Sequence, residues 1–286
     1  MPRTEFLKFA PVFLKSDMYR ALERLVPRLS GTILWSGRAA WFVPIETQRL
    51  SLEEFSQAKH GAPKMTEIVT YALDDGIATL TMDDGKANAM APAMSGALNE
   101  NLDRAANEAK AVVIRGRKGV FCGGFDLKII NGDDDAMKTQ MRDAGMTLLK
   151  RLYLSPQPIV IAVTGHAVAM GALLLLTGDA RIGTAGEFRI GLNETGIGLS
   201  LPPTGLELAR DRLAPMVLQR ATINAELFPP EDAPAAGYLD RVCSPEDFDA
   251  AVKEAAQSLA ALDPTAFAET KRRVRQPTLE RIAAAG

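Results

Sequence analysis

The chain has 286 residues, 47% of them hydrophobic and 24% charged, with 33 Lys and Arg against 35 Asp and Glu. Such a length and composition suit one α/β core with an appendage, and a net charge of −2 gives no bulk attraction for nucleic acid or an acidic membrane. The two cysteines, Cys122 and Cys243, are expected as reduced thiols in a cytoplasmic setting; with only His60 and His166 beside them, no structural metal is expected.

Residues 1–64 differ from the rest. Both tryptophans lie there, and ten basic against six acidic residues give +4, leaving −6 for the remainder. Phe6 to Leu29 has helical apolar spacing through Leu7, Phe9, Val12, Leu14, Tyr19, Leu22, Leu25 and Leu29. Three readings stand for this extension: sequence upstream of a true start at Met65, a targeting segment (against which the six acidic residues count), or a helical arm that packs on the domain or a partner. The domains expected are an N-terminal extension, 1–64, a core, 65–242, and a C-terminal helical region, 243–286.

From Met65 the pattern turns to clean alternation. Ile68 to Leu73 and Ile77 to Met82 flank Asp74-Asp75-Gly76, a hairpin signal. Pro92 opens a helix to about Lys110. A strand is expected at 111–115, a helix at 135–154, a strand at 159–163 and a helix at 170–177. Short strands at 180–184 and 187–191 precede helices at 204–213, 215–223, 230–236, 246–261 and 264–274. Strands alternating with helices imply an α/β fold with a largely parallel sheet and a helical cap. The apolar run from Ile159 to Leu176 approaches a membrane span in length, but Pro158 precedes it and Thr164-Gly165-His166 cuts it, so a buried strand turning into a buried helix is expected.

Two glycine-rich turns carry the chemistry. The first is Gly119-Val-Phe-Cys-Gly-Gly-Phe-Asp-Leu-Lys128, after the strand Ala111-Val-Val-Ile-Arg115; the second is Gly165-His-Ala-Val-Ala-Met-Gly-Ala172, running on to Asp179, after Pro158-Ile-Val-Ile-Ala-Val163. Strand, tight turn and helix aim backbone N–H groups at one point, and two such points side by side suit a developing oxyanion. Cys122 and His166 invite a thiol–imidazole reading, but no orienting Asn or Asp is implied, so a core cysteine and a turn histidine are expected. No Gly-Lys-Ser/Thr closes the stretch 116–124, so it is no phosphate-binding P-loop.

With Gly85-Lys-Ala-Asn-Ala-Met90, Ile190-Gly-Leu-Asn-Glu-Thr195 and Pro230-Glu-Asp-Ala-Pro-Ala-Ala-Gly-Tyr-Leu-Asp-Arg-Val242 in order around these turns, the chain from about Glu67 to Arg273 resembles the crotonase superfamily, the enoyl-CoA hydratases and isomerases. The resemblance implies the crotonase fold, repeated ββα units with a C-terminal helical region, and an acyl-CoA thioester as substrate. Coenzyme A enters as part of that substrate, with no separate cofactor, and a homotrimer or dimer of trimers is implied. The backbone N–H groups of Phe125 and Met170 take the oxyanion-hole positions, and Glu194 takes the position of the family's second glutamate, a base at C2 and acid at C4. Gly123 and Gly124 permit the tight turn, and Gly171 the close approach of helix and ligand. Lys86, Ala87 and Ala89 fall in the loop on the adenine side, and Lys128 matches a lysine near the CoA phosphates. Asp126 is expected to cap the helix after it.

One departure bears on the reaction. The hydratases' first glutamate falls here on Leu173, which can neither activate water nor donate a proton. Proton transfer within the substrate needs one carboxylate, and Gly191-Leu-Asn-Glu-Thr195 resembles the Δ3,Δ2-enoyl-CoA isomerase branch. Isomerisation is therefore expected, with hydration of 2-enoyl-CoA and a non-catalytic CoA-ester-binding role as alternatives. Glu207 and Asp211, spaced i and i+4 on one helix, are the candidates for a substitute acid. The chain ends thirteen residues after Arg273, where many relatives continue with a further helix, so a different outer wall of the acyl pocket is expected.

Overall fold

The computed structural model describes residues 67–285, together with the backbone of 31–36 and 39–44. The helix expected over Phe6–Leu29 and the three readings of the extension lie outside the described residues. The chain divides into two compact units, Met1–Lys64 and Met65–Gly286. In the first, β1 (Gly31–Ser36) and β2 (Ala39–Pro44) pair antiparallel, with Gly31 opposite Pro44 and Ser36 opposite Ala39.

In the second unit β3 (Val69–Asp74) and β4 (Ile77–Met82) form the expected hairpin, and its turn residues Asp75 and Gly76 both take positive φ, 48° and 73°. That is the geometry whose twist matches the flanking strands. From β4 the sheet continues in parallel through β5 (Ala111–Arg115), β7 (Ile159–Val163), β9 (Ala180–Thr184) and β11 (Arg241–Cys243). Helix α1 (Pro92–Glu108) makes the first crossover, opening with Pro92, whose missing N–H would find no partner in a first turn. Residue alternation splits the middle strands between two apolar layers. Val112, Ile114, Ile159 and Ile161 face the main core, while Val113, Val160 and Ala162 face Phe248, Ala251, Val252 and Ala256 of the helix Phe248–Ala260. Burial of each such Val or Ile contributes roughly 1.5–3 kcal/mol.

The two glycine-rich segments depart from the expected strand, turn and helix. Each contains a further strand: β6 (Gly119–Cys122) and β8 (Gly165–Val168) pair in parallel, and with β10 (Ile190–Gly191) they form a second sheet in the order β10-β8-β6. The chain passes from one sheet to the other at corners where no side chain fits. A Cβ on Gly116 would lie 2.3 Å from the Val120 carbonyl oxygen, and one on Gly165 would lie 2.0 Å from the Gly119 carbonyl carbon. The strand expected at 187–191 shrinks to Ile190–Gly191, because the chain is still turning at Gly186 (φ 152°), where the Phe188 N–H bonds back to the Gly186 oxygen.

Downstream helices fall at Pro203–Arg212 and Leu218–Thr222, and Ala233–Ala236 follows a 3-10 turn at Pro230–Asp232. The last helix corrects the expectation most. It runs Pro264–Ala285 instead of stopping near 274, and passes through Pro277. Its buried face is Lys271, Arg275, Thr278 and Ile282, largely polar at helical spacing, so apolar periodicity does not register it. Asp179 is the reason polar residues face inward. Its carboxylate accepts from Lys271 Nζ at 2.6 Å, Arg275 Nη2 at 2.8 Å and the Ile159 N–H at 2.8 Å, and Arg275 also donates to the carbonyls of Tyr153, Thr177 and Gly178. Burial pushes Lys271 down to about 8, against the pull of Asp179. The last helix is thus clamped to the starts of the central strands β7 and β9 by a buried ionic network, at Asp179, the residue that closes the second glycine-rich segment.

Candidate active site

The site is built where the two glycine turns meet. After β6, Gly123 turns against the loop 83–89: its N–H donates to the Ala87 oxygen at 2.8 Å, and a Cβ on it would lie 3.2 Å from the Ala87 Cβ. Gly124 follows at φ 102°, packed against the second turn, where a Cβ would meet the Ala169 Cβ at 3.1 Å, the Val168 oxygen at 3.3 Å and the Met170 nitrogen at 3.8 Å. The Met170 amide nitrogen thus lies against the turn that leads into Phe125, and among the described residues no acceptor takes the N–H of either residue. The Phe125 ring and the Met170 methyl both lie over Gly145, where a Cβ would come within 2.6 Å of the ring. Gly171 allows the helix Met170–Leu175 to touch β6, since a Cβ there would lie 2.1 Å from the Cys122 oxygen.

The Met170 amide owes its direction to Ala169, at φ 52° and ψ −121°, a region that L-residues rarely occupy and that costs of order 1–3 kcal/mol. Two hydrogen bonds hold it there: Ala169 N–H to the Gly191 oxygen, 2.9 Å, and Leu173 N–H to the Ala169 oxygen, 3.0 Å. The first ties the turn to β10, and Glu194 lies three residues beyond Gly191. The Glu194 backbone is fixed by its own carbonyl, which accepts from Ile197 N–H at 3.1 Å and Leu199 N–H at 2.9 Å. The residue is 7% exposed, and Oε2 has no hydrogen-bond partner. Burial pushes the carboxyl up, opposed by its own backbone N–H. A buried carboxylate with one oxygen free of partners and a raised proton affinity is suited to take and return a proton.

Leu173 lies on the helix Met170–Leu175, fully buried, with both methyls against Gly205 at 3.1–3.2 Å from where its Cβ would be. The two substitute acids are both engaged elsewhere. Glu207 pairs with Arg210 and Arg281, and Asp211 accepts from the Tyr153 and Thr278 hydroxyls, so they join Pro203–Arg212 to the last helix. Cys122 is fully buried and its thiol is pushed up to about 12 by burial, while His166 is exposed and accepts the Arg189 N–H at 3.1 Å.

On the outer flank Lys86, Ala87 and Gly123 are exposed together and Ala89 is half-buried. Lys128 is exposed at the start of Leu127–Ile130, with Asp126 capping that helix by accepting the Lys128 N–H at 2.8 Å. Neither ammonium makes an ion pair among the described residues. Sequence reasoning missed what shapes this flank. Asn88 is wholly buried at φ 50°, and its Nδ2 donates to the carbonyls of Met82 at 2.9 Å and Phe121 at 3.1 Å, joining the loop to the first turn. Asp84 gathers the N–H groups of Lys86, Asn88 and Ala89; burial would raise its carboxyl, but these donors win and hold it below the ordinary value. Asp83-Asp-Gly-Lys-Ala-Asn88 carried the signal, since Asp and Asn fold such loops through their own backbone.

The model of the family described as enoyl-CoA hydratase/isomerase matches residues 72–285. The chain belongs to the enoyl-CoA hydratase/isomerase family. A family member from Pseudomonas syringae has a solved structure 44% identical with a TM-score of 0.75, covering 77% of this chain and 96% of its own. A Mycobacterium tuberculosis protein, 42% identical with a TM-score of 0.73, is described in one structure as a probable enoyl-CoA hydratase (76% of this chain, 92% of its own) and in another as an enoyl-CoA isomerase (77% and 96%). The human mitochondrial enoyl-CoA delta isomerase 1 is 28% identical over 211 residues, 72% of this chain and 70% of its own. The fold is the crotonase fold, and the protein is an acyl-CoA enzyme, a hydratase or an isomerase.

Proposed function

We propose that the protein moves the double bond of 3-enoyl-CoA thioesters to the 2 position, with Glu194 as base and acid and the Phe125 and Met170 amides as oxyanion donors. The thioester oxygen sits between the two N–H groups. The Glu194 carboxylate takes a proton from C2, the C–H electron pair forms the enolate, and the charge gathers on the oxygen. The enolate then collapses, forming C2=C3 as C3=C4 opens, and Glu194 returns the proton to C4. No atom is gained or lost. Each oriented donor is worth about 3 kcal/mol in comparable sites. Lys86, Ala87, Ala89 and Lys128 serve the coenzyme A end, with Gly123, Gly124 and Gly171 giving the backbone close approach to the ester and Leu173 an apolar wall.

The observation that carries this reading is a buried carboxylate with its Oε2 free of partners, Glu194, together with a buried leucine, Leu173, at the position that the resemblance gives to a second carboxylate. Water addition calls on two carboxylates, and Glu207 and Asp211 are committed to the last helix. Glu194→Gln is the test: isomerisation should fall by about 10² to 10⁴, and activity within threefold of the parent would remove Glu194 from the mechanism. The reading carries with it a core over 65–242 with a C-terminal helical region over 243–286, a cytoplasmic location, supported by two free cysteines, and a homotrimer or dimer of trimers, which light scattering of the full chain would check.

A further inference from the structure

Gly145 lies in the middle of the helix Asp135–Tyr153, on the buried face that also carries Met141, Leu148, Leu149 and Leu152. Nothing in the helix calls for a glycine there: its φ is not among the positive ones, and glycine is a poorer helix former than alanine. The space of the missing Cβ is filled from outside. A Cβ would lie 2.6 Å from Cε1 and 2.8 Å from Cζ of the Phe125 ring, and 3.3 Å from the Met170 methyl. The side chains of the two residues whose amides serve as oxyanion donors thus converge on one notch, in a helix to which the reaction above assigns nothing. Each donor peptide is held at its carbonyl end. The Gly124 oxygen accepts the Met90 N–H at 2.8 Å and the Ala169 oxygen accepts the Leu173 N–H at 3.0 Å, whereas among the described residues the Phe125 and Met170 N–H groups have no acceptor. A donor that waits for a substrate oxygen has to be free in this way, and its direction then depends on the placement of the residue that bears it. Phe125 is half-buried and packs against the main core, and Leu148, Leu149 and Leu152 anchor the helix in that same core, so the notch is a fixed seat.

We propose that Gly145 is a positioning residue for the oxyanion site: its bare α-carbon seats the Phe125 ring and the Met170 methyl, and so sets the directions of both amides. The inference rests on the reading of those two amides as the donors. A methyl at position 145 suits the helix backbone but cannot coexist with the ring where it stands, since 2.6 Å is far inside the carbon–carbon contact distance of about 3.5–4.0 Å. The ring must lift off the notch. The carbonyl end of its peptide stays bonded to Met90, so the displacement falls on the Phe125 N–H.

Gly145→Ala is the test. With 3-enoyl-CoA, kcat should fall about 10–100-fold while KM stays within about threefold, because the donors act on charge that develops in the transition state. The melting temperature should stay within ~4 °C of the parent, the gain in helix propensity offsetting the lost contact. Phe125→Leu leaves a side chain that ends short of Cε1 and Cζ, and in that background Gly145→Ala should cost less than about threefold in kcat, a coupling that a general disturbance of the helix would not produce. A crystal structure of the Gly145→Ala protein reads the same placement without turnover: the Phe125 nitrogen should be displaced from its position in the parent. A kcat lowered less than about threefold by Gly145→Ala, an equal loss with and without Phe125→Leu, or a ring that has merely rotated over two unmoved nitrogens would overturn the proposal. If Gly124→Ala, which wedges the two turns apart directly, leaves kcat unchanged, the donor assignment fails instead, and the crystal structure still decides whether Gly145 places the two amides.

Discussion

Gly124→Ala tests the junction of the two turns. The substitution does two separable things. It places an L-residue at φ 102°, and it drives a methyl to 3.1 Å from the Ala169 Cβ and 3.3 Å from the Val168 oxygen. The backbone strain is of order 1–3 kcal/mol, which in a unit of this size lowers Tm by roughly 2–10 °C. The contact cannot relax on the far side, because Ala169 is already held at φ 52° by the Gly191 and Leu173 hydrogen bonds. The turns must separate by a few tenths of an ångström, and the Phe125 and Met170 amides with them. Full loss of one oxyanion donor costs about 10²–10³ in kcat, so a partial displacement should cost about 10–100-fold. Gly119→Ala is the control: φ is 83°, but a Cβ there meets nothing within 4 Å. It should lose similar stability and keep kcat. Isomerase assays on both variants, with thermal melts, decide it. Equal kcat for the two, or a Gly124→Ala enzyme within threefold of the parent, would refute the placement of the oxyanion site at this junction.

Asn88→Ala removes the side chain that bonds the Met82 and Phe121 carbonyls and leaves a residue ill suited to φ 50°. It should destabilise the protein by about 2 kcal/mol in urea unfolding and lower kcat/KM about tenfold by loosening the first turn. Asp179→Asn strips the anionic partner from buried Lys271 and Arg275. The loss should be about 3–5 kcal/mol, and amide exchange should rise first along Pro264–Ala285. Asp84, whose carboxyl is held below its ordinary value, adds stability that is present above the unfolded carboxylate pKa and lost as pH falls below it. Asp84→Asn should therefore narrow the gap in Tm between pH 6 and pH 3, and an unchanged gap would remove Asp84 from the acid-labile contacts.

The main sheet was legible because its signals are local. Asp74-Asp75-Gly76 announces a hairpin, Pro92 a helix start, and the β-branched runs of β5 and β7 strands buried on both faces. The second sheet was hidden, because strands of four, four and two residues carry no period and are set by close backbone crossings at Gly116 and Gly165. The last helix was cut short for the opposite reason: its inward face is ionic and its partner, Asp179, lies far away in sequence. The glycine turns and Glu194 were legible as motifs. That Ala169 bears the backbone strain, and that Asn88 joins the loop to the first turn, follows only from tertiary contacts.

The central claim, that one carboxylate moves a proton within the substrate, is tested most directly by offering the purified full chain matched 3-enoyl and 2-enoyl esters of coenzyme A. The account predicts formation of the conjugated 2-enoyl ester with a kcat/KM at least ~100-fold above that for hydrating the 2-enoyl ester. Rapid hydration of the 2-enoyl ester, with Leu173 in place, would contradict it.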